Sequence, residues 1–517
     1  MKSRCLASGF GAFVAVGVGH GLALAQPFAI DADFSEWDSV PVALTDPSGD
    51  ALGLFDVTHV RGVAAGTVVY LEFDATNVIN ISTIPGVNQE VRIQFELPAI
   101  GRTVEVRLGG TNSMTATNPT QVFTWNTGPL IAQPSFASDR FELRTDLAIA
   151  GASAGDMVNI TFGGASASDS TTPPIALTLG GDGPVLHEGS TDRAPCADFR
   201  LASLNTLNTG FQDQTPGLLR VVDSVDADVY CFVEEYGGSA TAVMNVLNSI
   251  DPTENGLPWN VRKNNDCVIA SQHTLVSAPS YDNSYVAAVV DMGSPARSVL
   301  VLAIHPKCCG SIGSSEDLRR IEQAGFMLQT IDEVRNALPA SPLFPYRDAP
   351  VIVAGDWNLV GSRTPLDMLT DPSLPGVEWL HIPKIGADDA TTWQANSAGT
   401  AYPPGILDYI VFSADKLGVL NRFVLDSRLL SPSQLAALGL QAGDSGASDH
   451  DMLVADFAFP SPADLAPPFG SLDFSDVLAF LVAFGSGATE ADLAPPLGVF
   501  DFSDVLAFLQ AFGGACE

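Results

Sequence analysis

The run Val351-Ile352-Val353-Ala354-Gly355-Asp356-Trp357-Asn358 decides how the middle of this chain folds. Its apolar, largely β-branched start shows no polar alternation, which marks a strand buried on both faces. An acid and an amide follow at once, so they stand at the strand's end. Outward from it, similar runs recur at 200–205, 229–234, 299–305 and 453–457. Between them lie helical stretches. The longest, 315–338, offers Leu318, Ile321, Phe326, Leu328, Ile331 and Val334 as apolar positions. Doubly buried strands separated by helices imply a layered α/β domain over 197–459.

Polar side chains collect at the ends of these strands: Asn205, Glu234, His305, Asp356, Asn358, Asp408 and the run Ser448-Asp449-His450. Strand ends in an α/β layer let polar groups converge on one crevice without being buried unsatisfied. Singly, each residue has an ordinary reading as a helix cap or a satisfied core histidine. As an ordered set they do not. Gly-Asp-x-Asn at 355–358, Leu407-Asp408-Tyr409-Ile410 and Ser-Asp-His at 448–450 resemble the endonuclease/exonuclease/phosphatase superfamily, which includes deoxyribonuclease I-like nucleases and inositol and sphingomyelin phosphodiesterases.

The resemblance covers 197–459. It implies an α-β-β-α domain, two facing sheets flanked by helices, that hydrolyses a phosphodiester or phosphomonoester with a divalent metal. Such hydrolysis needs charge neutralised on the phosphoryl oxygens and a proton removed from water. On this resemblance Glu234, with Asn205 and Asp449, supplies hard oxygen ligands for Mg²⁺ or Mn²⁺. Asp408 orients His450, the general base for water. Asp356 and Asn358 lie beside the water and the phosphoryl oxygens, and His305 donates to a phosphate oxygen. Asn208 is either an assistant or a turn residue. The sequence departs from the family at Val233 (usually Gln), Pro306 (often Leu), Trp357 (usually Phe) and Asp451 (often apolar). Glu235 adjoins Glu234, which leaves open which carboxylate serves the site; alignment favours Glu234.

The flanks read differently. Lys2 and Arg4, an apolar stretch from Phe10 to Leu24, and Ala23-Leu24-Ala25 form a signal peptide over 1–25, so the protein is expected to be secreted or on the cell surface. The stretch is Gly-rich and short of the roughly 20 apolar residues of a membrane span. Residues 28–182 alternate in short β-like runs, the pattern of a β-sandwich. Their opening, Ile30-Asp31-Ala32-Asp33-Phe34-Ser35-Glu36-Trp37, resembles family 9 carbohydrate-binding modules. A sugar site would need aromatic platforms, and Trp37 and Trp125 are the tryptophans available; a purely accessory sandwich is the other reading. The loop Asp46-Pro-Ser-Gly-Asp50 reads as a Ca²⁺ site or a plain turn. In the tail, 464–517, an 18-residue motif beginning at Asp464 recurs at Asp492, a period of 28 residues. Asp473-Phe-Ser-Asp476 and Asp501-Phe-Ser-Asp504 each open a helix with stripes Val477, Phe480, Leu481, Phe484 and Val505, Phe508, Leu509, Phe512. The pair resembles a dockerin, a tandem Ca²⁺ module that attaches secreted proteins to a scaffold. Ala466-Pro467-Pro468 and Ala494-Pro495-Pro496 replace the usual ligands of the loop's first half. Ca²⁺ module, attachment tag and simple two-helix cap therefore all stand.

The 517 residues hold three or four domains, and the formal charge is 24 − 59 = −35. That charge repels nucleic acid at long range, so a polyanionic substrate needs a local metal or basic patch. Nucleic acid, phospholipid and sugar phosphate all remain as substrates. An adhesion or binding protein that kept the fold and lost turnover is the alternative from another class. Removing Cys5 with the signal leaves Cys196, Cys231, Cys267, Cys308, Cys309 and Cys516, none at metal-binding spacing. The adjacent pair Cys308-Cys309 falls just after a strand.

Overall fold

The computed structural model describes residues 28–513 apart from 50–52, 84–88, 126–128, 165–170, 172–173, 254–255, 372–373, 375, 395–401, 467–471 and 496–497. The signal reading of 1–25 lies outside the described residues, as do Asp50, Pro467, Pro468, Pro496, Cys5 and Cys516.

Residues 44–178 form two antiparallel sheets. One orders Leu44–Thr45, Val57–Ala65, Val68–Ile79, Ser138–Asp146 and Leu130–Gln133. The other orders Ile175–Thr178, Met157–Gly164, Val91–Leu97, Arg102–Leu108, Ser113–Ala116 and Gln121–Phe123. One apolar cluster draws on both, from Val69, Leu71 and Phe73 to Ile93, Phe95 and Val106. Trp125 is buried in that cluster. Trp37 is also buried, and its indole N–H donates to Glu142 Oε2 at 3.0 Å. Neither tryptophan is therefore an exposed platform.

Two mixed sheets build residues 199–458. The first orders Asn260–Asn264, Cys267–Ser271, Val229–Val233, Phe199–Asn205, Met452–Ala458 and Gly418–Leu425. The second orders Thr274–Ser277, Tyr285–Ser294, Arg297–Ile304, Val351–Asp356, Asp408–Ser413 and Val377–Leu380. An apolar cluster joins Leu201, Cys231 and Val229 of the first to Val301, Ala303 and Ile352 of the second. A second cluster packs Leu218, Val222 and Val243 from helices Pro216–Val225 and Ala240–Ile250 against the first sheet. A third packs Met327, Ile331 and Leu366 from helices Ser315–Arg335 and Thr364–Leu369 against the second.

Each sheet has one parallel pair at its centre, and this sets where the polar residues meet. Asn205 pairs in register with Val233, and Ile304 with Gly355, so the strands leading to Asn205, Glu234, His305 and Asp356 run the same way within each sheet. Asp408 opens an antiparallel strand directly opposite Asp356. The strand after His450 runs antiparallel to Phe199–Asn205, with Ser203 opposite Leu453, which returns Ser448-Asp449-His450 to the same edge. Gly355 is required at its place. Its φ is +148°, and a Cβ there would stand 2.0 Å from the carbonyl oxygen of Ile304.

Two helical readings need correction. In Ser315–Arg335 the buried positions include Asp317, Arg320 and Gln323, while Leu318 is exposed. These polar groups hold the loop before the helix: Arg320 donates to the carbonyls of Lys307 and Cys309, and Gln323 Oε1 accepts from Lys307 N–H. Hydrogen bonding sets the first half of that face, and apolar contact through Met327, Ile331 and Val334 sets the second. In the tail, Phe480 and Phe508 stack at 4.1 Å between helices Phe474–Ser486 and Phe502–Gly513, but Leu481 and Leu509 face outward. Asp476 accepts N–H bonds from Leu465, Ala466 and Asp473, and Asp504 repeats this with Leu493, Ala494 and Asp501. Backbone donors thus occupy the carboxylates that close each tail loop.

The sandwich opening holds an acid cluster whose titration has a definite sign. Burial, aided by neighbouring acids, pushes Asp31 up to about 6 and Glu36 up to about 7, and raises Glu142 well above the usual carboxylate range. Folded-state values above the unfolded ones mean that stability is full at low pH and declines as pH rises through about 6 to 7. Glu36→Gln should therefore raise the thermal midpoint at pH 8 and leave it nearly unchanged at pH 4. Equal shifts at both pH values in differential scanning calorimetry would contradict the assignment.

Candidate active site

The strand-end residues meet around one atom, Asp356 Oδ2. Asn205 Nδ2 donates to it at 3.1 Å, His450 Nε2 lies 3.6 Å away and His305 Nε2 3.7 Å away. Asp356 is 2% exposed, so these groups replace the water it has lost. Its other oxygen accepts the backbone N–H of Asn358 at 2.9 Å. Burial raises its pKa, while the two imidazoles oppose that rise.

Each imidazole is backed by its own carboxylate. His450 Nδ1 lies 2.7 Å from Asp408 Oδ2, and His305 Nδ1 lies 2.5 Å from Asp266 Oδ2. Burial alone would lower the pKa of His450, but Asp408 and Asp356 outweigh it and lift the ring to about 10. His305 is raised in the same way, against burial, by its bond to Asp266 and by Asp356. Asp356, Asp408 and His450 also form the one group of three metal-capable side chains found among the described residues. Both ring nitrogens of His450 already face carboxylates, so this group is read here as a proton-holding pair beside an acid.

The residues expected to hold a cation lie alongside. Glu234 follows its strand at φ +62°; Oε1 accepts from Asn205 Nδ2 at 3.2 Å and Oε2 from Asn208 N–H at 3.0 Å. Glu235 points the other way and is buried on Thr206 Oγ1 and the backbone N–H groups of Phe211 and Gln212. Glu234 is therefore the carboxylate at the crevice, and Asn208 contributes its backbone N–H to it. Asp449 is placed by Trp393, whose indole N–H donates to Oδ2 at 3.2 Å. The donor chemistry fits a hard cation. Glu234 and Asp356 offer carboxylate oxygens that suit one; Asn205 meets both through its amide N–H group, while its Oδ1 accepts Leu207 N–H at 3.1 Å. Asn358 sits at φ +50° with its side-chain amide donating to the Pro306 carbonyl at 3.2 Å.

Sequence reasoning missed Asp266 and the segment 388–394. Asp266 follows Asn264-Asn265 in the turn between two paired strands, and an acid there reads as a turn former. The segment starts on the sandwich. Ile30 N–H donates to Asp388 O, Ala390 N–H to Ile30 O, and Tyr70 O–H to the Asp388 carboxylate, with Arg144 3.0 Å from that same group. It ends in the site, where Thr392 Oγ1 accepts from Asp408 N–H at 3.0 Å and Trp393 forms a bridge with His450. Lys384 ties it sideways, donating to Thr391 Oγ1 at 3.3 Å and to Asp451, the neighbour of His450, at 2.7 Å.

No family model matches this sequence, and no curated protein matches it. Solved structures do. A truncated TDP2 from Caenorhabditis elegans is 17% identical over 50% of this chain and 97% of its own, at a TM-score of 0.31. The APE2 catalytic domain from Xenopus laevis is 13% identical over 50% of this chain and 92% of its own, at 0.31. The AP endonuclease LMAP from Leishmania major is 11% identical over 52% of this chain and 91% of its own, at 0.34.

The bonds through 388–394 make the sandwich part of the site's scaffold. Combining Tyr70→Phe with Arg144→Met should speed amide hydrogen exchange at residues 388–393 and at Asp408, with the strands of both mixed sheets unchanged. Wild-type protection at those amides would show that the segment holds its place without the sandwich.

Proposed function

We propose that residues 197–459 form a four-layer α-β-β-α catalytic domain that hydrolyses a phosphodiester or phosphomonoester by activating water. The observation that carries this reading is the convergence of Asn205, His305 and His450 on the buried Asp356, with Asp266 and Asp408 behind the two imidazoles. Paired imidazoles that differ in their surroundings suit a site where one group moves a proton and another stabilises charge.

In the proposed roles, His450 takes the proton of the attacking water at Nε2, and Asp408 holds the resulting imidazolium through Nδ1. Asp356 aligns that water from its place between the rings. His305, kept protonated by Asp266 and Asp356, donates from Nε2 to a phosphoryl oxygen. Asn358 lines the same edge. Mg²⁺ or Mn²⁺ held by Glu234 with Asn205 and Asp449, when bound, supplies positive charge that offsets both Asp356 and the phosphoryl oxygens.

The flanks receive accessory roles. The division into 28–182, 197–459 and 464–517 is supported by the separate apolar clusters of the sandwich, the mixed sheets and the tail, and 1–25 rests on the signal pattern of the sequence. No helix of the described residues is long and apolar enough to cross a membrane. Export rests on the signal reading and agrees with the disulfide-bonded state of Cys196. The tail, with Phe474, Leu478, Val482 and Phe502 exposed, is assigned to attachment at a cell surface or scaffold.

The test is turnover of an aryl phosphodiester and an aryl phosphomonoester with Mg²⁺. Activity should vanish with chelator and return with Mg²⁺ or Mn²⁺. Glu234→Gln should raise the metal concentration needed, and Asp356→Asn should lower turnover by about two to four orders of magnitude. No turnover of either ester by metal-loaded, folded protein would favour a binding protein that retained the fold.

A further inference from the structure

Beside the site, a cavity of about 310 Å³ is lined by Tyr236, Asp266, Asp282, His305, Cys308 and Arg319 among others. Cys308 stands at its wall, three residues past His305, and Cys309 follows it. Their sulfurs are 2.8 Å apart. Cys309 is exposed at φ +73°, a left-handed conformation that a residue with a Cβ adopts only when its surroundings hold it there. Two side chains hold it: Arg320, fully buried, donates to the carbonyls of Lys307 and Cys309 at 2.8 and 2.6 Å, and Asn358 donates to the carbonyl of Pro306.

We propose that Cys308 and Cys309 are a modification site, two adjacent thiols that close into a vicinal disulfide by exchange with a small-molecule disulfide such as oxidised glutathione. Cys308, which lines the cavity and has the Lys307 ammonium 3.8 Å from its Sγ, is the attacking sulfur. Its attack breaks the S–S bond of the small disulfide, forms a mixed disulfide and releases one thiolate. Cys309, whose sulfur is already 2.8 Å away, then gives up its proton and attacks Cys308 Sγ. The second thiolate leaves with the Cys309 sulfur in its place. Both protons end on the released thiols. The cysteine pair loses two electrons and the small disulfide gains them.

Adjacent residues across a trans peptide have Cα atoms about 3.8 Å apart, below the separation common for protein disulfides, so the ring is strained and readily reduced. That makes it a reversible mark rather than a structural staple. Cys231 and Cys267, both fully buried in the core, take no part. That the mark forms in the exported protein rests on the export reading; the exchange itself rests on these residues alone.

The experiment uses the purified full chain in an oxidised glutathione buffer. It is then alkylated with iodoacetamide under denaturing, non-reducing conditions and digested with trypsin. The peptide 308–319 should carry no alkyl group or glutathione and be lighter by two hydrogens than its reduced form. Brief treatment with a dithiol should restore double alkylation. Cys309→Ser should retain one glutathione on Cys308, because the resolving thiol is gone. Double alkylation of the wild-type peptide after oxidation, or a stable glutathione adduct on it, overturns the proposal.

Discussion

A single buried carboxylate oxygen, Asp356 Oδ2, constrains the rest of this molecule's middle domain. An anion with so little exposure is stable only if donors reach it, and they come from three strands of two different sheets. Asn205 arrives from the first sheet, His305 from the neighbouring strand, and His450 from the turn that leads back into the first sheet. The two sheets therefore bring their polar edges to one place, joined by a shared apolar cluster. The clusters between and outside them, built from Leu201, Ile352, Val222 and Ile331, supply the burial that keeps that edge fixed.

The same constraint explains the neighbours. Two imidazoles near one carboxylate gain protons, and each needs a counter-charge on its far nitrogen. Asp408 and Asp266 provide these, one from a strand directly opposite Asp356 and the other from a turn. Asp408 must in turn be held in register, which Thr392 does from a segment anchored on the sandwich through Ile30, Tyr70 and Arg144. The sandwich thus belongs to the same mechanical unit as the polar edge. Its buried Trp37 and Trp125 serve its own core.

Much of this was legible in the residues. Strands buried on both faces announce themselves as unbroken apolar runs, and the polar residues placed at their ends by sequence are the ones the structure gathers. The choice between Glu234 and Glu235 required coordinates, since adjacent residues after a strand diverge only through the φ of +62° at Glu234. Asp266 was hidden by its turn, where an acid needs no further reason to exist. Thr392 and Trp393 were hidden because a loop's register against a distant strand leaves no periodic trace. The helix Ser315–Arg335 misled for another reason. The first half of its inner face carries Asp317, Arg320 and Gln323, which tie down the loop bearing Cys308 and Cys309, so Leu318 lies outside while Ile331 and Val334 are buried as expected.

The central claim is that His450 and Asp408 act as one unit against Asp356. A double-mutant cycle tests it most directly: turnover of one aryl phosphate ester by His450→Ala, Asp408→Asn and the double variant, with circular dichroism checking the fold. Residues that work as a unit lose their effect together, so the double variant should be little worse than His450→Ala. A double-variant loss equal to the product of the two single losses would mean that the imidazole and the carboxylate act independently, and the account of the site would be wrong.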